Sequence, residues 1–410
     1  MKNGDAMCPD NDYVLETDNV SYKYDKNGRK ALNEISIKIK KGVRTAILGA
    51  NGAGKPTLFS VLNALYKPQE GKVLYMGEPV SYRHKSIIRM RSEVSILFQD
   101  PDSMLFRPYV EDDVAYGPEN MGLPKSEVEQ RVDEALFAVG MQKYRKSSVM
   151  KLSYGQRKRV TIAGVLAMRP KVLILDEPTA GLDPQMACEV MELTEELHRS
   201  GTTVIMASHD TDLTYSWADE IHVLRMGRCV YSGKPEPFYS DKPSVYLSGL
   251  LPPKVFLMNE GLCQMRSVSS EPYPKTRAQL ISKTAMPHDD LGKMYVLPVE
   301  GGSDADAVME ALSKSGLSSV ARGIYGTSAR KAKDIADVGI TYYYDGPENC
   351  IRNCMNGNDS VLLCDPTMID TAVSGVDFVD RSGFGKIDVK VLPPSGPGQT
   401  VTDVPDDKKE

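Results

Sequence analysis

Four short runs in the first half of the chain, Thr45–Leu48, Ser95–Phe98, Val172–Leu175 and Thr203–Met206, are apolar at nearly every position. A strand that alternates polar and apolar residues has one wet face. One that is apolar throughout is covered on both, which predicts a parallel sheet flanked by helices. The texture changes between the second and third runs: Val128, Val132, Ala135, Leu136 and Val139 follow a helical stripe, and Ser126 with Glu129 is spaced for a capping box at its start. A helical insertion is therefore expected between the two halves of an α/β core. From about Ser232 to Ser270, Pro235, Pro237, Pro243, Pro252 and Pro253 break any longer period. Alternation resumes with a strand at Met294–Val299, then Ala305, Val308, Met309 and Leu312 at helical spacing. Further strand candidates are Ser319–Ile324, Ile340–Tyr344 and Ser360–Cys364, separated by helix-like segments 327–337 and 347–356. The pattern predicts a large α/β domain over 1–245, a connecting segment over 246–290, a smaller α/β domain over 291–392 and a disordered Pro-, Gly- and Asp-rich tail over 393–410.

A length of 410 residues suits two domains. No stretch approaches the ~18 consecutive apolar residues of a spanning helix, so any work at a membrane needs other subunits to cross it. The first residues, with Asp5, Asp10 and Asp12 and no apolar core, do not read as a signal peptide, and the protein is expected to stay where it is made. Seven cysteines, Cys8, Cys188, Cys229, Cys263, Cys350, Cys354 and Cys364, show neither a disulfide framework nor paired CxxC motifs, which fits a reducing cytosol. A net charge of −5 with both signs interspersed argues against a broad nucleic-acid-binding surface.

Two motifs bring chemistry to this frame. The Thr45–Leu48 strand runs into Gly49-Ala50-Asn51-Gly52-Ala53-Gly54-Lys55-Pro56-Thr57, the G-x-x-x-x-G-K spacing of a phosphate loop, with helix-like Leu58–Leu65 behind it. The glycines let successive N–H groups curl around phosphate oxygens and Lys55 adds a point charge, so the loop is expected to bind a nucleotide. The Val172–Leu175 strand ends in Asp176 and Glu177. The first carboxylate can hold Mg²⁺ through its waters and the second can orient or deprotonate the attacking water.

Between these motifs, Leu152-Ser153-Tyr154-Gly155-Gln156 resembles the LSGGQ signature of ATP-binding-cassette ATPases, and the other family motifs follow in order. Gln99 resembles the Q-loop, Gly181-Leu182-Asp183 the D-loop and His209 the switch histidine, while Tyr24 sits where the family stacks a ring on adenine, with Tyr22 an alternative. The resemblance covers residues ~12–245 and implies a P-loop NTPase cassette with a helical signature subdomain. It implies an ATPase in which Glu177 is the base, His209 meets the γ-phosphate, and Gln99 joins Thr57 and Asp176 around Mg²⁺. It further implies that Ser153, Gly155 and Gln156, with Asp183 nearby, complete the nucleotide site of a second cassette, so the chain should pair with itself or with a similar ATPase. Leu97–Phe106, Val110–Pro118 and Leu152–Val160 are similar to the energy-coupling-factor ATPases of cobalt, nickel and vitamin importers. That branch implies transmembrane partner subunits, a peripheral place on the cytoplasmic face of the membrane, and a solute chosen elsewhere than in this chain.

One departure bears on catalysis. The family's Lys-Ser-Thr is Lys55-Pro56-Thr57 here, which removes a hydroxyl that ligates Mg²⁺ and an N–H that faces phosphate. Depressed hydrolysis is the expectation; Thr57 or a shifted helix start is the alternative. Tyr154, in a signature position the family fills with glycine, is expected to alter packing at the dimer face only. In the smaller domain, the loops Glu300–Asp304, Gly323–Thr327 and Cys364–Pro366 are candidate ligand loops. Cys350 and Cys354 share a helix face and Cys364 could join them around a soft metal, or all three are buried small hydrophobes.

Overall fold

The computed structural model describes residues 12–25, 28–286 and 290–395. Asp5, Cys8 and Asp10, and residues 396–410 of the expected tail, lie outside them. Two compact units divide at Gly261/Leu262.

The first unit runs through β1 (Tyr13–Tyr22), β2 (Leu32–Lys40), β3 (Thr45–Leu48), α1 (Lys55–Leu62), β4 (Glu70–Tyr75), β5 (Glu78–Pro79), α2 (His84–Glu93) and β6 (Val94–Leu97). The helical insertion follows as α3 (Val110–Asn120), α4 (Lys125–Ala138) and α5 (Tyr154–Ala167). The chain then returns through β7 (Val172–Asp176), α6 (Pro184–Arg199), β8 (Thr203–Ala207), α7 (Thr211–Trp217), β9 (Glu220–Arg225) and β10 (Arg228–Gly233). Helices α8 (Pro235–Ser240), α9 (Lys242–Leu247) and α10 (Lys254–Arg266) come last.

The six-stranded sheet has the order β10-β9-β3-β8-β7-β6. Its strands from β9 to β6 are parallel, whereas β10 pairs antiparallel with β9. All four apolar runs are strands of this sheet, and β3, β6, β7 and β8 are buried at every position, which is why they lack alternation. A separate antiparallel sheet of order β2-β1-β4-β5 shares its core with α1. The loops that leave the carboxyl ends of β3, β6, β7 and β8 carry the phosphate loop, Gln99, Glu177 and His209, so the edge of the sheet gathers residues distant in sequence.

Helix α4 forms as its stripe predicts, with Val128, Val132, Ala135 and Leu136 buried. The expected capping box does not. The helix starts at Lys125, and the carbonyl of Pro124 accepts from the N–H groups of Glu127 and Val128 at 2.9 and 3.0 Å. Pro124, extended at ψ 146, sets the helix start one residue before Ser126, which leaves Ser126 inside the first turn with no cap to make.

His222, on β9, is buried with its Nδ1 2.8 Å from the Ser232 hydroxyl, and burial lowers its pKa from 6.5 to about 4 against the opposing pull of Glu220. Because the folded pKa lies below the unfolded one, the contribution is fully present above pH 6.5 and is lost as pH falls toward 4, by about 3 kcal/mol. Trp217, the single tryptophan, is buried in this unit and reports its unfolding. Urea unfolding at pH 7.5 and 5 should show a smaller loss for His222→Gln than for the native chain. Equal losses would show that His222 does not titrate between the two states.

The second unit begins within α10 and contains α11 (Arg277–Thr284), β11 (Met294–Pro298), α12 (Ala305–Lys314), β12 (Ala321–Tyr325), α13 (Thr327–Lys331), α14 (Gly346–Met355), β13 (Ser360–Cys364), α15 (Ile369–Arg381) and β14 (Val389–Val391). These four strands form a parallel sheet of order β12-β13-β11-β14. One apolar cluster joins α11, α14 and α15 to the sheet and another joins α12 and α13 to it, so helices cover both faces. The segment 246–290 carries the end of α9 and all of α10 and α11 and is shared between the two units, with Ala278 of α11 in the second core.

The expected strand Ile340–Tyr344 is not one. Only Tyr342 bridges to Gly323, in a segment bounded by Gly339 and Asp345 at φ 74 and 48. Two left-handed residues with five positions between them leave too short an extended stretch for a ladder. Cys350, Cys354 and Cys364 are buried in one apolar cluster, and burial raises the first two thiols to about 12 and about 11. Among the described residues no three His, Cys, Asp or Glu side chains are grouped to hold a metal.

Candidate nucleotide site

The phosphate loop owes its shape to glycine. Gly49 has φ 149, and a Cβ there would meet the Leu224 carbonyl oxygen at 2.4 Å; Gly54 has φ 107, and its Cβ would meet the Ala31 carbonyl oxygen at 2.8 Å. With Gly54 as N-cap, α1 opens at Lys55 and aims its first N–H groups back over the loop. Lys55 lies across the same loop, its Nζ donating to the Gly49 carbonyl at 2.6 Å. Burial holds this lysine below its ordinary pKa, opposed by the negative charges of Glu177 and Asp176.

A cavity of about 730 Å³ opens beside the loop. Its walls include Gly49, Asn51, Gly52, Ala53, Lys55 and Pro56, and across from them Gln99, Asp176, Glu177 and His209. Asp176 is buried, and burial first, then the neighbouring Glu177, raises its carboxyl to about 6 while Lys55 and Lys158 pull the other way. A hard cation would relieve that destabilised carboxylate, and the oxygen donors of Asp176 and Gln99 suit Mg²⁺, which takes most of its remaining ligands from phosphates and water.

Glu177 has φ 49, a left-handed conformation costly for a residue with a Cβ. It is held there by its own N–H donating to the Ala207 carbonyl at 2.9 Å. Its carboxylate accepts from the Ser208 hydroxyl at 3.1 Å and the His209 N–H at 2.9 Å, and lies 2.9 Å from His209 Nδ1. A carboxylate fixed on three sides at a cavity wall can take a proton from a water poised at phosphorus without first reorienting. His209, whose Nδ1 meets that carboxylate, is otherwise largely exposed and lines the cavity.

Tyr24 and Thr57 are joined, hydroxyl to hydroxyl, at 2.8 Å, and neither Thr57 nor Gly54 lines the cavity. The Thr57 hydroxyl is thus engaged behind the wall that Pro56 presents. Tyr22 stacks on Tyr66 at 5.0 Å with an interplanar angle of 6°, whereas Tyr24 meets Tyr22 edge-on and is 60% exposed. Of the two rings, Tyr24 is the one with a face open to a base.

The signature lies elsewhere. Ser153 caps α5 in a reciprocal box, its hydroxyl accepting from the Gln156 N–H at 3.3 Å while Gln156 Oε1 accepts from the Ser153 N–H at 2.9 Å. Ser153 and Tyr154 are exposed, and Gly155 packs near Met186 of α6. None of these residues lines the cavity. The Tyr154 ring packs on Gly181 of the D-loop, so tightly that a Cβ at Gly181 would lie 2.9 Å from it; this is a contact within the chain. Asp183, two residues on, caps α6 by accepting from the Met186 N–H at 2.8 Å.

Sequence reasoning missed Lys158. It is fully buried in α5, and its Nζ donates to the carbonyls of Phe98 and Gln99 at 3.0 and 2.7 Å. Burial lowers it to about 8, with Asp176 and Asp100 opposing. Between Arg157 and Arg159 it reads as one charge of a basic stretch, so the sequence offered no signal that set it apart.

A parallel sheet whose carboxyl edge carries a phosphate loop, a carboxylate pair and a histidine, with a capped signature helix on a separate insertion, defines an ATP-binding-cassette ATPase. The ABC transporter family matches residues 32–180. The energy-coupling factor transporter ATP-binding protein EcfA of Methanocaldococcus jannaschii is 45% identical over 243 residues, 59% of this chain and 87% of that one. EcfA2 of Methanospirillum hungatei is 33% identical over 389 residues, 92% of this chain and 96% of that one, and so spans both units. The structure of cbiO1 from Clostridium perfringens, described as part of the ABC transporter complex cbiONQ, aligns at TM-score 0.52 and 41% identity over 63% of this chain and all of that one. The chain belongs to the family of energy-coupling factor transporter ATP-binding proteins. No helix of the described residues is long and apolar enough to cross a membrane.

Proposed function

We propose that this chain binds Mg²⁺-ATP as one half of a head-to-tail pair of cassettes and that closure of the pair drives import of a small solute, a cobalt or nickel ion or a vitamin, through separate membrane subunits. The observation that carries the pairing is the division of the site: the cavity holds the phosphate loop, Gln99, Asp176, Glu177 and His209 but no signature residue. Ser153 and Gly155, at the exposed start of α5, are then left to complete the site of a second cassette, identical or similar. In this reading Tyr24 stacks on adenine, Lys55 and the loop N–H groups hold the phosphates, and Asp176 and Gln99 serve Mg²⁺, with Thr57 able to join them only on release from Tyr24. Glu177 takes the proton of the attacking water and His209 meets the γ-phosphate. The chain would sit at the cytoplasmic face of the membrane, carried there by its partners.

A second reading, an ATP-binding subunit with weakened hydrolysis, is favoured by Pro56 at the cavity wall and by the engagement of Thr57 with Tyr24.

Pairing is tested by sedimentation of the Glu177→Gln chain, which should convert from monomer to dimer when Mg²⁺-ATP is added, and should fail to do so when Ser153→Arg is also present. A chain that stays monomeric at saturating ATP, with and without a co-expressed second cassette, would overturn the pairing. Solute class is read from uptake of labelled cobalt, nickel or vitamin by cells carrying the chain with its co-purifying membrane subunits.

A further inference from the structure

Lys158 stands beside the nucleotide cavity and the roles above leave it unused. A lysine with no exposed surface is costly to place in a core, and Val160, Thr161, Ile162 and Ala163 further along α5 are buried as well, so an apolar residue would be the less costly occupant. Among the described residues its ammonium makes no ion pair at bridging distance. It spends its donors on two successive main-chain carbonyls, those of Phe98 and Gln99. These lie where β6 ends and the chain turns toward Pro101–Ser103, and Gln99 projects from this point to line the cavity. The Lys158 charge is also felt at Asp176, whose carboxyl it draws down against burial.

We propose that Lys158 is a positioning residue of the Mg²⁺ site: by clamping the carbonyls of Phe98 and Gln99 it fixes the backbone from which the Gln99 amide reaches the metal. This rests on the reading of the cavity as a Mg²⁺-ATP site. The lysine touches neither nucleotide nor metal and acts through Gln99 alone. Residues that orient a metal ligand from behind typically cost ~10–100-fold in metal affinity or activity when removed.

The experiment measures ATP affinity of the full chain in Mg²⁺ and in EDTA and takes the ratio, which needs no hydrolysis. Lys158→Met should cut the Mg²⁺ enhancement by ~10–100-fold and leave affinity in EDTA within about twofold, on the order of measurement scatter for a residue that touches no phosphate. Lys158→Gln, which keeps an N–H donor group without the charge, should fall between. Gln99→Ala should reproduce the loss, and the double variant Gln99→Ala with Lys158→Met should be no worse than the larger single loss. Trp217 emission on heating verifies that each variant is folded; should Lys158→Met not fold, Lys158→Gln carries the same comparison. An unchanged ratio in a folded Lys158 variant, or losses that multiply in the double variant, would overturn the proposal while leaving the nucleotide site intact. No ATP binding by the native chain under either condition would overturn the site reading and this inference with it.

Discussion

Glu177→Gln is expected to bind Mg²⁺-ATP as the native chain does and to lose hydrolysis by ~10²–10⁴-fold, about 3–5 kcal/mol of transition-state stabilisation. The amide is isosteric, so it can keep the contacts that the Ser208 hydroxyl and His209 N–H make with the side chain at 3.1 and 2.9 Å. What it cannot do is accept a proton. The strained backbone at φ 49 holds the group at the wall in either form, so loss of binding is not expected. Phosphate release and equilibrium ATP binding measured side by side separate the two effects. A Glu177→Gln chain whose turnover matches the native one would remove Glu177 from the role of base.

Pro56→Ser is expected to raise turnover, by ~10²-fold if one preorganised donor is restored at the γ-phosphate, and to tighten Mg²⁺ binding. Pro56 stands at the second position of α1, where the N–H of any other residue would point from the helix end toward the cavity. The neighbouring hydroxyl does not stand in for the missing one, because Thr57 Oγ1 is held 2.8 Å from the Tyr24 hydroxyl. Serine there should also cost ~0.4–1 kcal/mol of stability, since proline restricts the unfolded chain and presets the helix start. Faster turnover with a slightly lower melting temperature is therefore the expected signature. Equal turnover in the two chains would mean that water or a displaced Thr57 supplies the lost contacts without penalty.

What the sequence determined by itself is local. The unbroken apolar runs foretell buried parallel strands because two-sided burial leaves no polar register to read. The phosphate loop and the Asp176–Glu177 pair are legible because each is a contiguous motif whose geometry is set by glycines and by a strand end. Order and spacing then carry Gln99, the signature, the D-loop and His209 to the family.

What the tertiary structure decided are the choices that depend on partners distant in the chain. Tyr22 is covered by Tyr66 and Tyr24 is not, a difference invisible in two tyrosines two positions apart. Tyr154 lies on Gly181 of its own chain, and Thr57 is taken by Tyr24. Segment 246–290 reads as a proline-broken connector because its short helices show little amphipathic period, yet α11 buries Ala278 in the second core. Ile340–Tyr344 has strand-forming residues but only one bridging position beside β12. Lys158 reads as one charge in a basic stretch until α5 packs against the end of β6 and turns its ammonium onto the Gln99 carbonyl. Periodicity and motif spacing report what neighbours along the chain demand of one another; which hydroxyl, ring or ammonium is free is settled only by what folding brings against it.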